Sequence, residues 1–413
     1  MRSEAERQPV AACDGSNSPV AVDDRDTHLP MRQVAFVVTE RCNLRCTYCY
    51  ESFKNKRRRP FPPAEIKRRI EDELLADNGF QYIWFIFFGG EPLLRFDTIR
   101  DVVEWTQARH WPGKQYRFMI ETNATLLNDT MKRWLAERKD DVVLSVSLDG
   151  AKDAHDRNRS NSYDKVIRHA PFLRETWPSQ PVKMTIGPET IAQTHEGVVS
   201  IADHGLDAEF DVLFENVWGD SESERRFVRI WADQLDRLVD FYAGRPELPR
   251  PSVLSRKLHH LYNVPLSFRR TTCGAGHEVT CFSPDGREYP CFRFSPLVVS
   301  NPIQTLDGAP DRRNPRCACC PFEKICTSCE GHNFETNGSI YERTDFHCNF
   351  FKVSLLASAR MSLLDQPIEA AASSLEPLPF EARVNEMRRL LAIRLVNDEC
   401  GPVLEWARRQ GAS

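Results

Sequence analysis

The stretch Val34-Ala35-Phe36-Val37-Val38-Thr39-Glu40-Arg41-Cys42-Asn43-Leu44-Arg45-Cys46-Thr47-Tyr48-Cys49 runs from an apolar, β-branched strand straight into a loop holding three cysteines. Cysteines at i, i+4 and i+7 in a loop can converge on one centre. An iron–sulfur cube offers four irons, each taking one external ligand, so three thiolates leave one iron open for chemistry. A zinc site is the alternative. Zinc favours paired cysteines and a fourth ligand, and no obvious fourth ligand lies near this loop.

Further strand signals follow at Ile83–Phe88, Arg117–Ile120, Val142–Leu148, Val182–Ile186 and Phe210–Phe214. Helical patterns alternate with them. One follows Pro62-Pro63 with Ile66, Ile70, Leu74 and Leu75 at helical spacing, and others fall near 97–109, 129–138, 162–175, 193–204 and 221–243. Such alternation predicts a parallel sheet with outer helices. Six right-handed units predict an α/β fold, a partial (β/α)6 barrel. Sites in parallel barrels sit in the loops after the strands, where the three cysteines lie.

The rest of the chain fits an ordinary globular protein. It has 413 residues, 41% apolar and 28% charged, with a formal charge of −4. These values exclude collagen-like and wholly disordered classes, and the charge speaks against nucleic-acid binding. No apolar run approaches a membrane span, and the N-terminus lacks a signal-peptide core. A cytoplasmic protein without a membrane role is expected, so the 14 cysteines are expected to be metal ligands rather than disulfides.

Five segments are expected. Residues 1–31 form a disordered arm and 32–245 the barrel core. A proline-punctuated helical bridge covers 246–272. Residues 273–350 form a Cys-rich domain that depends on metal for its fold. Terminal helices occupy 351–413, with a break near 377–379.

The Cys-x3-Cys-x2-Cys loop, with Tyr48 before the last cysteine, resembles the radical S-adenosylmethionine (SAM) enzymes. Gly89-Gly90-Glu91-Pro92 follows the second strand, Glu121-Thr122-Asn123 ends the third, and Ser147-Leu148-Asp149-Gly150 ends the fourth, with His155-Asp156-x-x-Arg159 beyond it. The resemblance implies that Cys42, Cys46 and Cys49 hold a [4Fe-4S] cluster. It implies that Tyr48, Gly89, Gly90, Glu91, Asn123, Ser147 and Arg159 meet SAM, with Arg159 on its carboxylate side. The family usually has glycine after Thr-Asn, where this chain has Ala124.

The second cysteine group resembles the SPASM extension of peptide-modifying radical enzymes, which holds two auxiliary clusters. Cys273 is followed by Gly286-x4-Cys291, then Cys317-x2-Cys320-x5-Cys326-x2-Cys329 and Cys348. The resemblance assigns Cys317, Cys320, Cys326 and Cys348 to a distal cluster. It assigns Cys273, Cys291 and Cys329 to a proximal one, with Cys281 as fourth ligand. Three [4Fe-4S] clusters and SAM are therefore the expected cofactors. Cys13, Cys319 and Cys400 are left as ordinary thiols, and a zinc ribbon on 317–329 is the alternative.

The implied chemistry is reductive cleavage of SAM to a 5′-deoxyadenosyl radical, which takes hydrogen from a substrate carbon. The expected function is an oxidoreductase that modifies a ribosomally made peptide or protein by carbon–carbon or thioether crosslinking. Anaerobic sulfatase maturation (formylglycine formation) is the alternative. Sulfatase maturases carry an Asp after the cysteine of Gly-x4-Cys, and here Phe292 stands there. A non-catalytic iron–sulfur or zinc protein is a third possibility.

Expected partners are the substrate, an electron donor such as flavodoxin or ferredoxin, and a separate leader-recognition protein, with the C-terminal helices as the alternative for that role, because no such domain fits in the first 31 residues. No catalytic base is assigned, although Glu189, Asp211 and Glu215 are placed to face the barrel mouth. His155 is read as structural. The basic run Lys54 to Arg59 is a solvated loop or a dock for an acidic peptide.

Overall fold

The structure is a computed structural model, which describes residues 31–51, 60–262, 273–299, 302–306, 315–367 and 380–409. The N-terminal arm, the basic run, the break at 377–379 and Cys13 lie outside the described residues.

Six strands follow one another in chain order: β1 (Met31–Thr39), β2 (Tyr82–Gly89), β3 (Gln115–Thr122), β4 (Val142–Val146), β5 (Val182–Ile186) and β6 (Ala208–Val212). β1 to β4 pair in parallel, as do β5 and β6. A parallel bridge between Ser147 and Lys183 joins the two groups. Helices α1 (Pro63–Leu75), α2 (Phe96–Gln107), α3 (Asp129–Ala136), α4 (Lys152–Asn158), α5 (Tyr163–Ile167), α6 (Ala170–Thr176), α7 (Thr194–Asp203) and α8 (Ser221–Ala243) follow the strands. The result is a mixed α/β fold with a curled parallel sheet, consistent with the expected partial barrel.

Local rules explain the elements. α1 starts on Pro62-Pro63, whose fixed φ suits a first turn, and buries Ile66, Ile70 and Leu74. Asp220 caps α8 by accepting from the Ser223 amide at 3.0 Å. The helix expected over 162–175 is instead two short helices, α5 and α6, because Pro171 lies in the first turn of α6. A proline cannot donate the bond that would carry α5 through it.

The expected bridge is reduced, among the described residues, to a 3-10 turn at Leu258–Leu261. The Cys-rich segment does not stand apart from the barrel. Its strand β7 (Val279–Phe282) pairs in parallel with β1, and β8 (Glu288–Tyr289) pairs antiparallel with β7. One sheet therefore runs β4-β3-β2-β1-β7-β8. The C-terminal part adds α9 (Pro315–Ala318), α10 (Glu330–Asn337), α11 (Asp345–Asp365) and α12 (Phe380–Arg408). Among the described residues, no helix is long and apolar enough to cross a membrane.

Phe36 holds the two parts of the sheet together. It is fully buried, with ring centroids of Phe61, Phe85 and Phe87 at 6.1, 6.3 and 6.4 Å and Phe282 of β7 stacked at 5.7 Å. Phe36→Ala should lower stability by about 3–5 kcal/mol, read as a drop in the urea midpoint.

His155, at the start of the barrel's fourth crossover, is also fully buried. The Asp149 amide donates to its Nδ1 at 3.1 Å, so its Nε2 carries the proton, 2.9 Å from the Ser162 hydroxyl. Burial pushes its pKa down to about 4, below the ordinary value of about 6.5. Its contribution is therefore complete above about pH 6.5 and is lost as pH falls toward 4, because the unfolded chain binds the proton first. At pH 5 the loss is about 2 kcal/mol. The urea midpoint should fall between pH 7 and pH 5, and His155→Gln should flatten that fall.

Candidate active site

Cys42, Cys46 and Cys49 occupy the loop after β1, all free and half-buried. This loop has no helix or strand of its own, and three neighbouring strand ends and turns hold it. From β2, the amides of Gly90 and Glu91 donate to the carbonyls of Thr39 and Arg41 at 2.9 and 2.8 Å. From β3, Asn123 donates to Asn43 Oδ1 at 3.0 Å, and Thr125 accepts from Asn43 Nδ2 at 2.8 Å. From the end of α4, the Asn158 carbonyl accepts from the Thr47 amide at 2.9 Å and Ser160 Oγ from the Arg45 amide at 3.0 Å.

The two glycines are required for this approach. Gly89 has φ +130°, and a Cβ there would collide with the Thr39 carbonyl. A Cβ on Gly90 would collide with the Arg41 carbonyl and the Cys42 amide. Glu91 is 1% exposed. Its carboxylate accepts from the Leu93 amide (2.9 Å), the Thr122 hydroxyl (2.6 Å) and the Asn123 amide (2.9 Å). Burial raises its pKa and these bonds oppose the rise. Glu91 therefore braces the ends of β2 and β3 against each other. Ala124 sits at φ +56°, the left-handed region that favours glycine. That conformation accounts for a glycine being usual at this position, and here alanine adopts it, fully buried.

Asp149, 1% exposed, gathers the other side of the loop. It accepts from the Tyr48 hydroxyl at 2.6 Å and the Thr185 amide at 3.0 Å, and pairs with Arg159 at 3.0 Å. The Arg159 guanidinium also lies 5.3 Å from the Tyr48 ring centroid. Burial disfavours its charge, but Asp149 beside it wins and Arg159 stays cationic. Burial likewise raises the Tyr48 phenol well above its usual value. Arg159 is thus turned onto Asp149, close enough to Cys46 for their charges to interact. Ser147 donates its amide to the Thr122 carbonyl at 3.0 Å, at the seam between β4 and β5.

Burial pushes the Cys42 thiol up to about 11 and raises Cys46 as well. Cys42 also lies near enough to Cys46 and Cys49 to feel their charge. Metal uptake here must release protons. Among the described residues, no group of three His, Cys, Asp or Glu side chains converges on a single metal ion. A cluster does not need that convergence, since each thiolate serves its own iron. The all-thiol donor set fits an iron–sulfur cluster, and the glycines let the end of β2 pack directly on the loop that carries it.

The second cysteine group divides in two. Cys326 is pushed up to about 12 by burial and by the nearby Cys348, Cys320 and Cys317. Cys291 reaches about 12 through burial and the neighbouring Cys329. Cys281 also faces Cys291, but from within β7 and fully buried. Cys400, read from the sequence as an ordinary thiol, is folded by α12 into the apolar cluster holding Cys326, with Cys320 packed against it.

Phe292 stacks on Phe88 at 4.7 Å and Tyr50 at 6.0 Å, which fastens the Cys-rich segment to the cluster loop. Next to it, Arg293 lies 4.0 Å from the Tyr50 ring centroid and pairs with Glu215 at 2.6 Å. Of the three acidic candidates, Glu215 is the one that reaches this segment. It lines a cavity of about 180 Å³ with Trp218, His332, Phe346 and His347. Asp211 is exposed, and the backbone carbonyl of Glu189 accepts from Arg157 at 3.0 Å.

Residues 36–196 match the radical SAM superfamily. An uncharacterized protein of Methanocaldococcus jannaschii is 36% identical over 120 residues, 29% of this chain and 39% of that protein. This chain thus spans about two-fifths of that relative's length. The cysteine-type anaerobic sulfatase-maturating enzyme of Clostridium perfringens (strain ATCC 13124) is 25% identical over 275 residues, 60% of this chain and 71% of the enzyme. The antilisterial bacteriocin subtilosin biosynthesis protein AlbA of Bacillus subtilis is 23% identical over 272 residues, 63% of this chain and 54% of AlbA.

Among solved structures, native anSMEcpe with bound AdoMet superposes with TM-score 0.62 at 17% identity, over 81% of this chain and 99% of that one. Streptococcus suis SuiB bound to precursor peptide SuiA gives 0.52 at 18%, over 77% and 76%. At such identity these two show the shared fold alone. The sequence match and the cysteine loop agree in likening residues 36–196 to the radical SAM superfamily, in a chain that resembles the SPASM-type maturases.

Proposed function

We propose that this chain is a radical SAM enzyme that modifies a ribosomally made peptide or protein by carbon–carbon or thioether crosslinking. The observation that carries the proposal is the three-thiol loop pinned by the ends of β2, β3 and α4, with Gly89 and Gly90 keeping its approach free of side chains. Cys42, Cys46 and Cys49 would hold the cluster with the open iron. Cys317, Cys320, Cys326 and Cys348 would hold a distal auxiliary cluster, and Cys273, Cys291 and Cys329 a proximal one. When bound, cluster and SAM together supply a one-electron reductive cleavage that yields a hydrogen-abstracting radical.

The protein's own residues orient and shield. Tyr48, fixed by Asp149, offers an aromatic face beside the cysteines. Gly89 and Gly90 let backbone carbonyls meet a cationic amine. Arg159, paired through its Nε with Asp149, would offer its remaining N–H groups to a carboxylate. Tyr50, Phe88 and Phe292 form an apolar wall between the loop and the Cys-rich segment, which keeps water from a reactive carbon. An electron donor such as flavodoxin or ferredoxin, and a separate leader-recognition protein, belong to the same proposal. The subtilosin biosynthesis protein AlbA, and SuiB with its bound precursor peptide, support a peptide substrate.

Sulfatase maturation is the second possibility, favoured by the Clostridium relatives. Phe292 weighs against it. The ring that stands in place of a carboxylate is stacked on Phe88 and Tyr50, so position 292 itself offers no acid.

Replacing Cys42, Cys46 and Cys49 together with Ala should abolish 5′-deoxyadenosine formation under anaerobic conditions with a strong reductant, measured by chromatography. Persistence of that product would remove the radical assignment. Incubation with an unmodified sulfatase active-site peptide should give no formylglycine by mass spectrometry. Efficient formylglycine formation would promote the second possibility over the first.

A further inference from the structure

The cysteine loop follows β1 and the turn from Leu213 to Gly219 follows β6, so both lie at the rim where parallel barrels place their sites. Arg293 joins them. Its guanidinium lies 4.0 Å from the ring centroid of Tyr50, the neighbour of Cys49, and pairs with Glu215 Oε1 at 2.6 Å. Beyond Glu215 opens the cavity of about 180 Å³. Cavities that hold whole small molecules start at about 300 Å³, so this one is sized for a single side chain.

The lining selects a charge. Glu215 and Glu224 contribute carboxylates, and Phe214, Trp218 and Phe346 contribute aromatic rings. Among the described residues, no lysine or arginine lines the cavity. Glu215 Oε2 is buried and has no hydrogen-bond partner there. A buried acceptor left without a donor is costly, and a ligand N–H group would meet it. Aromatic faces attract the same cationic groups. The guanidinium of Arg293 is already taken up by Tyr50 and Glu215 Oε1.

The walls are fixed in advance. Trp218 donates its indole N–H to the Leu213 carbonyl at 3.0 Å and stacks on Phe346 at 4.7 Å. His347 donates from Nε2 to the Phe214 carbonyl at 3.0 Å, and Asn349 donates to Glu224 at 2.9 Å. Little side-chain freedom remains to be lost when a ligand enters.

We infer that this cavity receives a cationic side chain, lysine or arginine, of the peptide that the chain modifies. The inference rests on the function proposed above and deepens it by naming a residue class that the substrate contains. The anchor lies one ion pair and one ring away from Cys49, so neighbouring residues of the peptide come within reach of the cysteine loop.

The test uses the full-length chain, anaerobically reconstituted, and four probes: acetyl-Gly-Lys-Gly amide and its arginine, glutamine and norleucine counterparts. Binding is followed by nuclear magnetic resonance titration of the probe. The lysine or the arginine probe should bind at least tenfold more tightly than both neutral ones. Glu215→Gln, with iron content and melting temperature as in the parent, should remove that preference. Where Glu215→Gln melts early because its Arg293 pair is lost, Phe346→Leu decides, since it leaves the pair intact and should cut the preference at least threefold.

Equal binding of all four probes, or binding of none, would overturn the inference. So would a parent-like preference in a folded Glu215→Gln or Phe346→Leu protein. Formation of 5′-deoxyadenosine by the parent protein is measured alongside. Its absence would overturn the peptide-modifying reading and the pocket's role with it, whereas its presence without any preference among the probes overturns the pocket alone.

Discussion

Three half-buried thiols in a loop without secondary structure cannot hold their own separation. Everything around Cys42, Cys46 and Cys49 answers that constraint. Several of the loop's backbone amides and carbonyls are engaged by the end of β2 and by the turn that ends α4, so its shape is set by the elements around it. Two buried carboxylates do most of the fastening. Glu91 ties the end of β2 to β3, and Asp149 ties Tyr48, Arg159 and β5 together. Neither is spare for other chemistry, because each oxygen is already engaged with a protein donor.

The Cys-rich segment meets the same constraint from the other side. It reaches the barrel through β7, through the stacking of Phe282 on Phe36, and through Phe292 against Phe88 and Tyr50. The segments that carry the two cysteine groups thus share one sheet. Near the other end of the segment, α12 packs Ile393, Val396 and Cys400 into the apolar cluster that holds Cys326, with Cys320 against it. Burial raises the Cys42 and Cys326 thiols, so metal bound at either would displace a proton.

Much of this was legible because it is local. The cysteine spacings, the glycine pair and the alternation of strand and helix are written within short windows, and the strands fall where the apolar runs lie. What was not legible depends on distant partners. Asp149 becomes a hub only when residues 48, 159 and 185 meet it. The glutamate of Gly-Gly-Glu-Pro reads as a ligand contact in sequence, yet its carboxylate is taken by Leu93, Thr122 and Asn123. Ala124 reads as a departure from pattern, and only its positive φ explains why the pattern exists. The joining of β7 to β1, and the return of Cys400 to the distal group, follow from tertiary packing that no periodicity encodes.

The pairing of β1 with β7 also sets a timetable for synthesis. Gln33 meets Val279, a separation of 279 − 33 = 246 residues. At roughly 5–20 residues per second, a ribosome makes that length in about 12–50 s. Throughout that interval one edge of β1 has no neighbour. It is an apolar edge, bearing Val34, Phe36 and Val38, the kind that templates pairing with other chains. The strand that begins the barrel is thus completed by nearly the last strand made, and the nascent chain must be sheltered until then.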